Sequence, residues 1–327
     1  MPRCHAVTFV LFGTAVAAAA PAGPGAGGDV IRTIRFTYSV SVRDIPKGVR
    51  KLSIWIPVPK TDRHQEVLDL AVMAPLDYEI TREKGYGNRL LHLTGAAPLP
   101  ETIDLRLEAV VARRAYRVLG GEARLRDHDP PMPWDLAADS LVPIDGEIAA
   151  AADEATRSAR TPLEKARAIY DHVTSTMRYD RSGQGWGRGD AVHACDVRRG
   201  NCTDFHSLLI GMARASGIPA RFVMGFPLPV DRTKGEIPGY HCWAELFVEG
   251  VGWLPLDSSE ASRHPEKRAF FFGGLDANRV EFTRGRDLVL EPPAAARLNF
   301  FVYPRVEVDG VEHTAVTQNF SFAEIEE

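Results

Sequence analysis

Between residues 29 and 130 the apolar side chains recur at every second position: Ile34, Phe36, Tyr38, Val40 and Val42, then Leu52, Ile54, Ile56 and Val58, then Ile103, Leu105, Leu107 and Ala109. Successive side chains of a strand point to opposite faces, so strict alternation predicts half-buried β-strands. Turn chemistry at Lys47-Gly48 and Gly85-Tyr86-Gly87-Asn88 separates the runs, and Pro57 and Pro59 mark a strand end or edge. An all-β, sandwich-like domain is expected over 29–130. No constellation of reactive residues stands out within it, which suits a scaffold or recognition role.

The Pro-rich connector from His128 to Pro133 ends that pattern, and the period then changes from 2 to 3.6. A second domain is expected over 134–290. Thr161-Pro162-Leu163-Glu164 combines an N-cap, a first-turn proline and a capping-box glutamate, and Leu163, Ala166, Tyr170, Val173 and Met177 form one apolar helical face. Phe205, Leu208, Leu209, Met212 and Ala213 form another, stopped by Gly217 and Pro219, so Cys202 stands at the start of that helix. Strand-like runs follow over Ala220 to Phe226, Tyr240 to Val248 and Gly252 to Asp257, the last two joined by a turn at Glu249-Gly250-Val251. Further strands are expected over 295–327 around the Asp309-Gly310 turn. The fold class is α+β, without internal repeats.

The 327 residues are 45% hydrophobic and carry a net charge of −4, the profile of ordinary globular protein with room for two cores. No long basic run is present, which argues against nucleic acid as the main partner. The Gly183 to Gly189 loop lacks the preceding strand, the helix spacing and the Lys-Ser/Thr of a phosphate loop, which argues against nucleotide binding there. Residues 1–22 read as a secretory signal peptide, with Arg3, an apolar run from Ala6 to Ala20 and an Ala20-Pro21-Ala22 cleavage site. That run is too short to span a bilayer and no later stretch is long enough, so a soluble periplasmic or secreted protein with no transmembrane segment in its mature chain is expected. Cys4 leaves with the signal, and Cys195, Cys202 and Cys242 remain, an odd number that leaves one thiol unpaired.

Cys202 opens a helix, where unpaired N–H groups and the positive end of the helix dipole favour a thiolate. A nucleophile also needs a base and a group that orients the base. His241 lies on a strand face with Trp243, Glu245 and Phe247, whereas Cys242, Ala244, Leu246 and Val248 take the other face, so His241 and Cys242 are expected to point apart. Folding the hairpin back brings Asp257 beside or diagonal to His241, within reach of the imidazole. His206, one helical turn after Cys202, is a rival base with no evident orienter, and Asp204 suits the first turn of the helix.

The runs Gly200-Asn201-Cys202-Thr203-Asp204-Phe205, Ala215-Ser216-Gly217-Ile218-Pro219-Ala220-Arg221-Phe222, Tyr240-His241-Cys242-Trp243-Ala244-Glu245 and Gly252-Trp253-Leu254-Pro255-Leu256-Asp257, in that order, resemble the core of the transglutaminase-like superfamily. The resemblance spans roughly residues 140 to 260. It implies a papain-like α+β fold with Cys202 as nucleophile, His241 as base and acid, and Asp257 as orienter. Animal members usually carry Trp after the Cys where this chain has Thr203, and no EF-hand calcium loop is evident, so peptidase or amidase hydrolysis is favoured over protein-glutamine transamidation. A non-catalytic module that binds the cell envelope is the alternative from another class.

The Cys202 N–H would supply one oxyanion donor, with Trp186 and Gln184 as candidates for the second by analogy. Trp243 and Glu245 are candidates for the substrate cleft, Glu245 alternatively as a salt bridge. The Cys and His spacings do not suit zinc, so neither metal nor cofactor is expected. A Cys195–Cys242 disulfide would leave Cys202 free, whereas a Cys195–Cys202 disulfide would switch the site off. The implied substrate is a protein or peptide, a cell-envelope polymer included.

Overall fold

A computed structural model of the chain describes residues 30–120 and 129–325. The expected signal peptide lies outside the described residues. Among them, no helix is long and apolar enough to cross a membrane.

Ile31–Val42 forms the centre of a five-stranded antiparallel sheet in the order Lys234–Glu236, Val316–Glu324, Ile31–Val42, Ile103–Arg114, Gln65–Met73. Its alternation has the expected effect, with Ile34, Phe36, Tyr38, Val40 and Val42 all buried. A second five-stranded sheet runs Val311–Glu312, Arg305–Val308, Leu52–Val58, Arg89–Gly95, Asp77–Arg82. Leu52–Val58 departs from the expectation of a half-buried strand, because every one of its residues is buried. One face joins the main core through Ile54 and Ile56, while Trp55 on the other meets Leu90, Leu288, Leu290 and Phe301. The covering residues come from far along the chain. The C-terminal strands likewise complete both sheets, Val316–Glu324 pairing with Ile31–Val42 and Arg305–Val308 with Leu52–Val58.

The remainder of the described residues combines five α-helices with a four-stranded antiparallel sheet in the order Gly252–Leu256, His241–Val248, Ala220–Pro227, Arg279–Arg284. The helices are α1 (Gly146–Thr156), α2 (Pro162–Thr176), α3 (Ala191–Val197), α4 (Cys202–Ala215) and α5 (Ser258–Arg263). The capping box at Thr161 opens α2, and Ala166, Tyr170, Val173 and Met177 are buried as its spacing predicts. The α4 helix was readable as amphipathic, yet residues from Cys202 to Arg214 are all buried. It lies between α1, α2 and α3 and the strand His241–Val248, so it has no solvent face. Its polar side chains are satisfied internally: Ser207 Oγ donates to the Thr203 carbonyl at 2.7 Å, and Arg214 Nη1 reaches Asp139 at 2.7 Å.

Aromatic packing fuses the two parts. Phe36 of the β-rich region meets Phe226 at 5.0 Å and Phe282 at 5.1 Å between ring centroids, and Phe226 meets Phe320 at 4.4 Å. These rings attach the four-stranded sheet directly to the scaffold sheet, as one continuous core. Gly225, next to Phe226, sits at an irregularity in the pairing of Ala220–Pro227 with Arg279–Arg284. A Cβ there would lie 1.9 Å from the Val280 carbonyl oxygen, so only glycine permits the approach. Gly225 is also opposite His241 in the neighbouring ladder. Gly225→Ala should therefore displace the strand that begins at Arg279 and lower unfolding free energy by roughly 1–3 kcal/mol in urea denaturation. An unchanged midpoint and slope would contradict this account of the close approach.

Candidate active site

Asn201 starts α4, its Oδ1 accepting the Thr203 N–H at 2.9 Å, which leaves Cys202 as the first helical residue. At that position the backbone N–H has no carbonyl partner within the helix, and the dipole favours negative charge. Asp204 returns to accept the Asn201 N–H at 2.9 Å, and it also accepts the N–H groups of Gly187 at 2.7 Å and Gly189 at 3.0 Å. This buried carboxylate thus pins the Gly-rich loop onto the helix start. The loop requires its glycines there: Gly189 has φ 66°, and a Cβ would come within 2.7 Å of Ser207 Oγ and Thr203 Cγ2. Trp186 and Gln184 ride on the same loop but are exposed, and no hydrogen bond joins either to Cys202.

His241 begins its strand, whose pairing with Gly252–Leu256 ends at Ala244 opposite Leu256. Continuing that register places Asp257 diagonal to His241. His241 Nε2 lies 2.7 Å from Asp257 Oδ2, so Nε2 carries the donated proton and Nδ1 is left for another partner. The same oxygen accepts Arg279 Nη1 at 2.8 Å, while Oδ1 accepts Ser259 Oγ and the Glu260 N–H, both at 3.0 Å, as the N-cap of α5. Burial opposes ionisation of Asp257, but His241 and Arg279 outweigh it and hold the carboxyl well below its ordinary range. Burial likewise disfavours a charged His241, and the Asp257 carboxylate overcomes this, pushing the imidazole up to about 10.

The Cys202 thiol is within hydrogen-bonding reach of both the Cys242 thiol and the His241 ring. Donation from Cys242 is the leading cause that, against burial and together with His241, lowers it to about 5. A thiolate paired with an imidazolium is the resulting state of the site. Cys242 and His241, expected on opposite strand faces, both meet Cys202 because α4 begins beside the first residues of the strand, beyond its ladder with Gly252–Leu256.

His206 is fully buried and its nitrogens are committed. Nδ1 lies 2.7 Å from the Cys202 carbonyl oxygen and Nε2 accepts the Ser258 N–H at 3.1 Å, so the ring bridges the starts of α4 and α5 as a neutral imidazole. Burial is the main cause that lowers it to about 4. The Cys195–Cys242 disulfide is corrected: all three described cysteines are free thiols. Cys195 lies half-buried on α3, where burial and then Glu147 and Asp196 raise its thiol, whereas Cys242 Sγ is turned onto α4, 3.6 Å from His206 Nδ1 and 3.9 Å from Thr203 Oγ1.

The two cleft candidates are also placed elsewhere. Glu245 is buried with Oε2 2.6 Å from Arg221 Nε; burial opposes its charge, but Arg221 and Arg284 hold the carboxyl down at about 2. It lines a polar cavity of about 310 Å³ with Asp62, His64, Tyr116 and Trp253, away from Cys202. Trp243 is fully buried between the guanidinium groups of Arg113, 5.9 Å from its ring, and Arg279, 5.2 Å from it, so it supports His241 from within. Two contributors escaped the reading of the sequence. Arg279 belongs to no recognisable spacing, and Tyr240, beside His241, is half-buried with its hydroxyl 2.8 Å from Thr203 Oγ1 and 3.0 Å from Asn201 Nδ2.

The chain is similar to several known proteins. The profile of the Transglutaminase-like superfamily matches residues 149–258, which include Cys202, His241 and Asp257. An uncharacterized protein of Haemophilus influenzae is 28% identical over 309 residues, covering 81% of this chain and 83% of its own. A solved structure from Cytophaga hutchinsonii, described as a candidate cysteine protease, superposes with a TM-score of 0.62 at 17% identity, covering 92% of this chain and 93% of the other, and so shares its fold. Residues 149–258 are accordingly a transglutaminase-like core, framed by a β-rich region built from both ends of the described chain.

Proposed function

We propose that the protein is a thiol enzyme acting on amide carbonyls of proteins or peptides, with water as the favoured acyl acceptor. The observation that carries this reading is the buried chain of contacts from the Cys202 thiol to His241, and from His241 Nε2 to Asp257 Oδ2 at 2.7 Å. The Cys202 thiolate attacks the carbonyl carbon, and its own backbone N–H supplies one donor to the developing oxyanion. The Tyr240 hydroxyl, anchored by Asn201 and Thr203 on either side of Cys202 in sequence, is a better-supported second donor than the exposed Trp186 or Gln184. His241 returns its proton to the leaving amine, giving a thioester. It then takes a proton from water, which attacks the thioester and releases the acid. Asp257 keeps the imidazole oriented and its charge compensated throughout.

An amine in place of water would give transamidation. Hydrolysis is favoured because Thr203 follows the nucleophile where animal transglutaminases usually carry Trp, and here Thr203 is buried and engaged with Tyr240. A non-catalytic binding module would have no use for a thiol so far from its ordinary protonation. Export to the periplasm or beyond is the reading that residues 1–22 support.

The deciding experiment incubates the protein and its Cys202→Ala variant with a mixed peptide library and a labelled primary amine, read by mass spectrometry. Cysteine-dependent cleavage or deamidation is the expected result; cysteine-dependent amine incorporation would assign transamidation instead, and equal turnover by the variant would remove Cys202 from the mechanism. Tyr240→Phe should slow that turnover about 100-fold, the scale of one lost oxyanion donor, while leaving the rate of Cys202 alkylation unchanged. Slowed alkylation would make Tyr240 a support of the thiolate rather than an oxyanion donor.

The pH dependence follows from the two shifts. A thiol lowered to about 5 stays ionised above that value, and an imidazole raised to about 10 stays protonated below it, so the ion pair occupies the interval between. Alkylation of Cys202 by iodoacetamide should accordingly be nearly flat from about pH 6 to 9 and fall below about pH 5. A rate that climbs tenfold per unit toward pH 8.5, as for an unperturbed thiol, would contradict the ion pair.

A further inference from the structure

Cys242 forms no bond to substrate in the proposed acyl transfer, where it only donates to the Cys202 thiolate, yet its side chain is packed against that sulfur. Its Sγ lies 3.6 Å from His206 Nδ1, and that same nitrogen is 2.7 Å from the Cys202 carbonyl oxygen. It is also 3.9 Å from Thr203 Oγ1, the residue after Cys202, and the two thiols themselves are within hydrogen-bonding reach. Cys242 is fully buried and Cys202 is 2% exposed. A solitary buried cysteine is ordinarily an inert apolar side chain. Two adjacent thiols, one ionised and one not, are a different chemical object.

We propose that Cys242 is a resolving cysteine: when a hydroperoxide oxidises Cys202, the two residues close a reversible disulfide that halts the enzyme and spares its nucleophile from irreversible oxidation. The inference uses the proposed function only in taking Cys202 as the reactive thiol. In the first step the Cys202 thiolate attacks one peroxide oxygen; the S–O bond forms, the O–O bond breaks, and the departing hydroxide takes the His241 proton to leave as water. In the second step Cys242 sulfur attacks Cys202 sulfur, the S–O bond breaks, and hydroxide leaves with the Cys242 proton as a second water. Two thiols and one peroxide thus become one disulfide and two waters. A reducing dithiol reverses the change by thiol–disulfide exchange.

The environments divide the labour between chemically identical side chains. Burial is the first cause that keeps Cys242 protonated, and the neighbouring charge of Cys202 adds to it, so the resolving thiol is poorly reactive toward peroxide. Cys202 carries the thiolate and takes the first oxidation. Cys195, half-buried on α3, is a bystander within the same chain.

The test treats the protein with equimolar hydrogen peroxide, alkylates the remaining thiols under denaturing conditions and maps the peptides by mass spectrometry. The expected product is a Cys202–Cys242 cross-linked peptide lighter by two hydrogens, reverted by dithiothreitol. In Cys242→Ser, Cys202 should pass to the sulfinic acid about tenfold faster than in the parent protein and no longer be recovered by reduction. Cys242→Ala serves as a second variant should the serine disturb folding, and the cross-link in the unaltered protein needs neither. Sulfinic acid formation at equal rates with and without Cys242, or pairing of Cys202 with Cys195, would overturn the proposal. Because thiol mass rather than turnover is read, an absence of amide chemistry would count against the acyl-transfer reading and leave this one standing.

Discussion

A fully buried carboxylate is tenable only when its charge is met on every side, and Asp257 sets that requirement for this fold. Its four donors come from His241 on one strand, Ser259 and Glu260 at the start of α5, and Arg279 on another strand. Asp257 itself follows the strand Gly252–Leu256 at one edge of the four-stranded sheet, whereas Arg279 opens the strand at the opposite edge. The carboxylate is therefore a tie across the sheet as well as a partner for one imidazole. His206, with Nε2 3.7 Å from Asp257 Oδ1, brings α4 to the same point. The charge that holds the His241 ring is also what draws the elements of the site together.

The β-rich region takes part in this positioning. Phe36 and Tyr38 pack on Phe226 and Phe282, which belong to the two sheet strands behind His241. Gly225 adjoins that aromatic contact and is itself the ladder position opposite His241, and its missing Cβ lets the Arg279 strand close in. Packing energy from the scaffold is thereby converted into the position of Arg279, and through it of Asp257. Such an arrangement fits a site built on sheet strands and a helix tip, where each side chain is held by its neighbours rather than by a loop.

Local pattern was legible and long-range covering was not. Period-two alternation located Ile31–Val42, and caps with apolar spacing located α2 and α4, because these signals reside within a few consecutive residues. The same alternation could not show that Trp55 faces a second apolar cluster supplied by residues 288–301, since that partner is more than two hundred positions away. Cys202, His241 and Asp257 could be brought together on paper because a helix start and one hairpin register suffice. Arg279 depends on a sheet crossing that no motif records. Alternation also predicted divergent directions for His241 and Cys242, and the structure brings both to Cys202 where the strand has run past Gly252–Leu256 but is still paired with Ala220–Pro227. Glu245 shares the face expected for it, but its charge is absorbed by Arg221 in a separate polar cavity.

The electrostatics of the centre are asymmetric for a reason that lies in its geometry rather than in residue type. Cys202 and Cys242 are both buried, and burial alone would raise both thiols. Cys202 is lowered because Cys242 donates to it and His241 faces it as an imidazolium, which together outweigh burial; Cys242 is raised first by its burial and then by the thiolate it faces. His206 and His241 divide in the same way, one neutral between a carbonyl and an N–H, the other charged against a carboxylate. Each pair holds one ionised and one neutral member, which keeps the net charge inside the closed site small. A buried thiolate is stable here only while His241 remains protonated, His241 only while Asp257 remains ionised, and Asp257 only while Arg279 is in place. The ionisation of one sulfur is thus tied to the position of a guanidinium at the far edge of the sheet.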